Sequence, residues 1–146
     1  MRRTVQHFLA FLLLILLLLS AVSCGHKIAE EDAQKTAEDF VLAIAESRYD
    51  DAASLMHPVC ETSGGDIRQY FEATISSYGV KSLSDFRIES VTDTKFVDND
   101  DLYEGAYCSL TTTASADGKT FEFRVEIVKN DLGYGIHNFH FDFGTK

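Results

Sequence analysis

Along residues 120–129, TFEFRVEIVK, apolar and polar side chains alternate without a slip. Phe121, Phe123, Val125 and Ile127 stand against Glu122, Arg124 and Glu126. A period of two predicts a strand with one buried face. LSDFRIESV (83–91) places Phe86 and Ile88 on one side and Asp85, Arg87 and Glu89 on the other, and YEGAYCSLTTTA (103–114) is rich in β-forming residues. Asp117-Gly118 between the last two runs predicts a tight hairpin. Asn130-Asp131-Leu132-Gly133 predicts a second turn, leading into YGIHNFHFDF as the closing strand.

Ahead of Gly79 the period is helical. In EEDAQKTAEDFVLAIAES (30–47), Ala33, Ala37, Phe40, Val41 and Ile44 share one face, and Glu30, Glu31, Asp32 and Glu38 favour the positive amino-terminal end of that helix. RYDDAASLMHPVC predicts a short second helix, capped by Asp50 or Asp51, turning Ala53 and Met56 inward and ended by Pro58. GGDIRQYFEATISSYGV predicts a third, with Asp66 as N-cap, a stripe of Ile67, Tyr70, Phe71, Ile75 and Tyr78, and Gly79 in the left-handed C′ position. Helices followed by a meander of about four antiparallel strands make an α+β domain, because a sheet greasy on one side can bury that side only beneath the helices.

The apolar pattern changes character at the amino terminus. Arg2 and Arg3 precede an unbroken hydrocarbon run from Phe8 to Leu19, followed by the small residues Ser20-Ala21-Val22-Ser23. This is the layout of a secretory signal, and the run is shorter than the roughly 20 residues a bilayer-crossing helix needs. The run closes on one cysteine, and Ala21-Val22-Ser23-Cys24 resembles the lipobox of bacterial lipoproteins. That resemblance implies cleavage before Cys24 and diacylglyceryl on its thiol. Expected boundaries are therefore a signal peptide over 1–23, the lipidated Cys24 and a polar tether over 24–29, and the domain over 30–146. The mature chain would sit outside the cytoplasm, anchored to a bacterial cell membrane.

Charge narrows the partners. The chain has 23 acidic against 13 basic residues, a net charge of −10; loss of both arginines leaves 11 basic residues and a net charge of −12. Such a surface repels nucleic acid and does not adhere to anionic lipid through a basic patch. Among the three cysteines, lipidation of Cys24 leaves Cys60 and Cys108. They are either a disulfide, worth roughly 4 kcal/mol in the chain-entropy description, or two free thiols packed as small hydrophobes.

Three segments of this chain carry a family resemblance. AEDFVLAIAESRYDDAASLM, SSYGVKSLSDFRI and GKTFEFRVEIVKNDLGYGIHNF resemble the opening helices, the helix-to-strand passage and the closing hairpin of the nuclear-transport-factor-2-like superfamily, also called ketosteroid-isomerase-like or cystatin-like. The chain is similar, more narrowly, to bacterial lipoproteins of unknown function with that fold, over about residues 30 to 143. Tyr134 replaces the commoner tryptophan of the closing strand, and Gly135 replaces a basic residue. The resemblance implies a curved half-barrel around a long helix, a conical pocket and, in many relatives, dimerisation through the open sheet face.

Candidate chemistry is sparse. His137 and His140 are three apart, which on a regular strand puts them on opposite faces and prevents joint metal binding without a bulge. Asp98-Asn99-Asp100-Asp101 followed by Glu104 lacks the ligand spacing of an EF-hand and reads as a solvated hairpin loop. Every acid in 120–129 falls on the polar face, and there is no nucleophile-elbow motif. No catalytic residue, metal or cofactor is expected. Tyr70, Phe71, Tyr107, Phe121, Phe123, Tyr134 and Phe139 either line a cavity for a small apolar ligand, binding or turning it over, or simply form the core. The expected role is a non-catalytic binding or interaction module, with a small-ligand protein as the alternative.

Overall fold

The computed structural model describes residues 26–142. Three helices, α1 (Glu30–Ala45), α2 (Tyr49–Ser54) and α3 (Gly64–Ser77), precede four strands, β1 (Arg87–Asp100), β2 (Gly105–Ala116), β3 (Lys119–Asn130) and β4 (Gly133–Asp142). The strands form one antiparallel sheet in chain order. The protein is α+β, with the helices against one face of a curved, unclosed sheet.

Helix α1 buries Ala33, Ala37, Phe40, Val41 and Ile44, the stripe expected from its spacing. Full burial of side chains the size of Phe40, Val41 and Ile44 contributes about 1.5–3 kcal/mol each. Its N-cap is Ala29, with no side-chain cap, so the first-turn acids Glu30, Glu31 and Asp32 are what answers the helix dipole.

The other two helix starts differ from expectation. Helix α2 begins after Arg48, and neither Asp50 nor Asp51 caps it. Asp51 instead accepts from Arg48 Nη1 at 2.6 Å. Ser54 ends the helix four residues before Pro58, Tyr49 and Ala52 are its buried residues, and Met56 lies beyond it, bridged in parallel to Ile136. In α3 the N-cap is Ser63, and Asp66 is its N3 partner in a reciprocal capping box. An aspartate and a serine three apart both suit an N-cap, and the backbone turn selects the serine. Ile67 and Phe71 are buried, while Tyr70 and Tyr78 stay half-exposed. Gly79 takes the expected left-handed conformation, at φ 68°.

The β2–β3 hairpin is in register throughout, from Ala106↔Lys129 to Ala116↔Lys119. Its turn residues Asp117 and Gly118 both have positive φ, 50° and 68°, as a twist-matched two-residue turn requires. Phe121, Phe123, Val125 and Ile127 are all buried. Strand β1 runs nine residues beyond the expected segment, to Asp100, so that Asp98 and Asn99 are strand rather than loop. It is an edge strand, mostly exposed and interrupted by three register shifts. Its carboxyl-terminal half, TKFVDND, lacks a one-sided apolar pattern because little of it is covered.

One irregularity reorders the closing strand. Val125 pairs with Phe139 and Ile127 with Ile136, so His137 and Asn138 together oppose the single Glu126. This β-bulge keeps Ile136 and Phe139 on the helix-covered face despite their odd spacing. The bulge is the irregularity that His137 and His140 would need to share a face, yet their rings go to different partners, His140 to the Tyr70 hydroxyl of α3 and His137 to Tyr103.

Candidate functional site

The aromatic residues divide into two groups. Phe71, Phe121, Phe123, Phe139 and Tyr70 come together beneath the helices, joined by Phe40, Phe86 and Phe141. Phe123 meets Phe141 edge-on at 4.5 Å between centroids, Phe71 meets Phe141 at 5.4 Å, Tyr70 stacks on Phe141 at 5.3 Å, and Phe86 stacks on Phe121 at 6.1 Å. Rings at these separations fill the volume between them, and Phe71, Phe121 and Phe123 are each only 2% exposed. Five of the seven expected lining residues therefore pack on one another, with Phe71, Phe121 and Phe123 in the core itself.

Tyr107 and Tyr134 do not join that group. Tyr134 reaches α1, where its hydroxyl lies 2.9 Å from Thr36 Oγ1 and donates to the Asp32 carbonyl; burial raises its phenol above the ordinary value. Tyr107 is on the outer sheet face. It stacks on Tyr103, with centroids 5.2 Å apart and planes 6° from parallel. Tyr103, a turn residue rather than a strand residue, meets His137 edge-on at 5.0 Å. Val128, paired with Tyr107, is buried there apart from the main core. A second, smaller apolar cluster thus forms under the turns on the outer face. Burial, reinforced by Glu126, pushes the Tyr107 phenol up to about 12.

His57 was not singled out by sequence, and it is the most buried imidazole among the described residues, at 1% exposure. Its Nδ1 accepts from the Val59 N–H at 3.3 Å, which leaves Nε2 to donate to Asn130 Oδ1 at 3.2 Å. Asn130 Nδ2 in turn donates to the Tyr103 carbonyl at 3.0 Å, and its Oδ1 also accepts from Leu132 N–H. Both ring nitrogens are engaged in tying the loop after α2 to the two turns, so His57 is built as a structural bracket. Gly135 belongs to this bracket. A side chain there would collide with the Met56–His57 backbone, which accounts for glycine where the resemblance expects a basic residue.

Cys60 and Cys108 are free thiols in this structure. Cys108 is fully buried on the helix-covered face of β2, and burial pushes its thiol up to about 12. Cys60 donates from Sγ to the His137 carbonyl at 3.4 Å. No cluster of three or more His, Cys, Asp or Glu among the described residues is disposed to hold a metal ion. His140 Nδ1 lies near the Tyr70 hydroxyl, while His137 is held in the ring cluster. Cys24, with the expected signal segment, lies outside the described residues.

The most distinctive surface surrounds residues 26–29. The sequence suggests a polar tether here, but Ile28 is 5% exposed and packs into the core. Lys129 Nζ donates to the Lys27 carbonyl at 3.0 Å, and His26 Nε2 lies 3.0 Å from Asp131 Oδ1. One apolar side chain in an otherwise polar stretch is enough to dock the backbone when the sheet end offers it a site. Three shallow clefts of about 380, 420 and 430 Å³ border this strap. The first includes Lys35, Asp39 and Tyr134; the second lies between His26 and the acids Asp100, Asp101 and Glu104; the third joins Lys27 to Phe96 and Asp98. Among the seven aromatic residues above, Tyr134 alone borders any of these three.

Comparison with known protein families and with curated proteins finds no match. No helix among the described residues is long and apolar enough to cross a membrane.

Proposed function

We propose that this chain is a lipoprotein, anchored through Cys24 outside the cytoplasm of a bacterial cell, whose α+β domain acts as a non-catalytic binding or interaction module. The observation that carries the reading is the order of basic, apolar and small residues closing on Cys24, ahead of a domain that already packs at Ile28. Helices followed by a four-strand meander are compatible with kinship to the nuclear-transport-factor-2-like superfamily. The ring-filled interior favours recognition through the surface over enclosure of a small apolar ligand.

Two or more acyl chains on one cysteine give stable anchoring where a single chain is marginal. The test is therefore a mass spectrum of the purified chain together with membrane fractionation of Cys24→Ala. A diacylglyceryl thioether at residue 24, with loss of the variant from the membrane fraction, is the expected result. An unmodified thiol, or retention unchanged by the substitution, refutes the anchor.

A further inference from the structure

The β1–β2 and β3–β4 turns lie side by side at one end of the sheet, joined by the Asn130 Nδ2 bond to the Tyr103 carbonyl. At the tips of these two turns stand Leu102 and Leu132, which are 80% and 66% exposed, the two most exposed of the large hydrophobic residues described. Val59, 48% exposed, follows Pro58, which packs beside Gly133 at the second turn. Isolated exposed leucines are ordinary on protein surfaces. These share one end of the molecule, and the amino-terminal strap leaves the domain from that same end.

The strap fixes the geometry. His26 is paired with Asp131, the residue before Leu132, and shares a cleft with Asp101, the residue before Leu102. Only Gly25 separates His26 from Cys24, so their Cα atoms can be at most about 7 Å apart. The β2–β3 turn at Asp117-Gly118 is at the opposite end of 12-residue strands, roughly 40 Å away at about 3.3 Å per residue.

We propose that the paired turns are the membrane-facing end of the domain, with Leu102 and Leu132 resting in the lipid interface and the Asp117-Gly118 turn pointing away. This inference rests on the lipid-anchor reading and deepens it, since a docked strap converts an anchor into an orientation. Asp98, Asp100, Asp101 and Glu104 flank Leu102 along the chain, and Asp131 precedes Leu132. They repel anionic headgroups within a screening length of about 8–10 Å. The turns accordingly sit deeper in zwitterionic than in anionic lipid, and added salt reduces the difference.

The chain contains no tryptophan, so Leu102→Trp, Leu132→Trp and, near the far end, Tyr78→Trp each introduce a sole reporter. The lipidated full-length variants are reconstituted into phosphatidylcholine vesicles containing chain-brominated lipid, a short-range quencher. Expected is quenching at positions 102 and 132 and none at 78, weaker when phosphatidylglycerol replaces half of the lipid at low salt. Amide exchange of the unsubstituted chain gives a second readout, with slowing on vesicles confined to both turns. If the unsubstituted chain does not float with vesicles, the anchor fails and this inference with it. A chain that floats but shows neither quenching nor slowed exchange at the turns overturns the orientation alone.

Discussion

His57 Nε2 donates to Asn130 Oδ1 at 3.2 Å, joining the loop after α2 to the end of β3 across 73 residues of sequence. Through Asn130 the same bond reaches the Tyr103 carbonyl and so the other turn. A buried imidazole with two partners and an amide with three contacts are coupled groups, because removing either strands the other's polar atoms. His57→Ala leaves the Val59 N–H without its acceptor and opens a void. It is expected to destabilise by about 2 kcal/mol. A double-mutant cycle with Asn130→Ala should return a coupling of about 0.5–1.5 kcal/mol in urea unfolding; additivity within error would refute the bracket.

Phe123 touches Phe71, Phe86, Phe121 and Phe141, while Leu102 stands in solvent. Phe123→Ala should cost about 3–5 kcal/mol, as expected for loss of a packed ring. Leu102→Ala should stay within about 0.5 kcal/mol of the parent in solution. A Phe123→Ala cost below about 1 kcal/mol would mean that the ring borders open space after all.

Thr112 Oγ1 is buried and has no hydrogen-bond partner, on a side chain that is 0% exposed. Thr112→Val keeps the shape and removes the stranded group, so it should be neutral or stabilise by up to about 1 kcal/mol. Thermal unfolding of the variant checks the sign, and a clear loss would indicate a partner for the hydroxyl.

Burial raises the Cys108 thiol from 9.0 to about 12 in the folded chain. Its contribution is therefore fully present below the unfolded value and is lost as pH rises from about 9 towards 12. Tyr107, raised from 10.0 to about 12, acts in the same direction. Urea midpoints should fall between pH 8.5 and 11, and the fall should be shallower in Cys108→Ala. An equal slope would show that the thiol is not the titrating group.

The Ser63 hydroxyl accepts from the Asp66 N–H at 3.2 Å, and Asp66 Oδ2 accepts from the Ser63 N–H at 2.9 Å. Ser63→Ala should cost about 1 kcal/mol through loss of the N-cap oxygen. The Ser63 hydroxyl and N–H hold the Asp66 carboxyl below its ordinary value. The stabilisation is thus present above the unfolded value and lost as pH falls through the lower folded one. The acid limb of a stability–pH profile should accordingly be shallower in Ser63→Ala.

Much of the architecture was legible because its causes are local. Alternation at Phe121, Phe123, Val125 and Ile127 reports a strand with one dry face. The spacing of Ala33, Ala37, Phe40, Val41 and Ile44 reports a helix lying on it. Asp117-Gly118 suits the positive φ of a tight turn whatever surrounds it. Helix starts were less legible, since Ser63 and Asp66 are both competent caps and only the path of the backbone selects between them.

What the sequence by itself determined, then, was the order of elements, the side of each that is buried and the two hairpins. Those follow from side-chain polarity repeated at the period of the backbone. Tertiary structure alone decided the bulge at His137-Asn138, the extension of β1 as a covered-on-one-edge strand, the bracket at His57 and the docking of Ile28. The bracket and the docked strap depend on partners far along the chain, Asn130 for His57 and Asp131 for His26, and no local period encodes which distant group will arrive. The aromatic residues were likewise recognisable as apolar but not as core or cavity wall, because a ring has the same polarity whether its neighbour is another ring or a space.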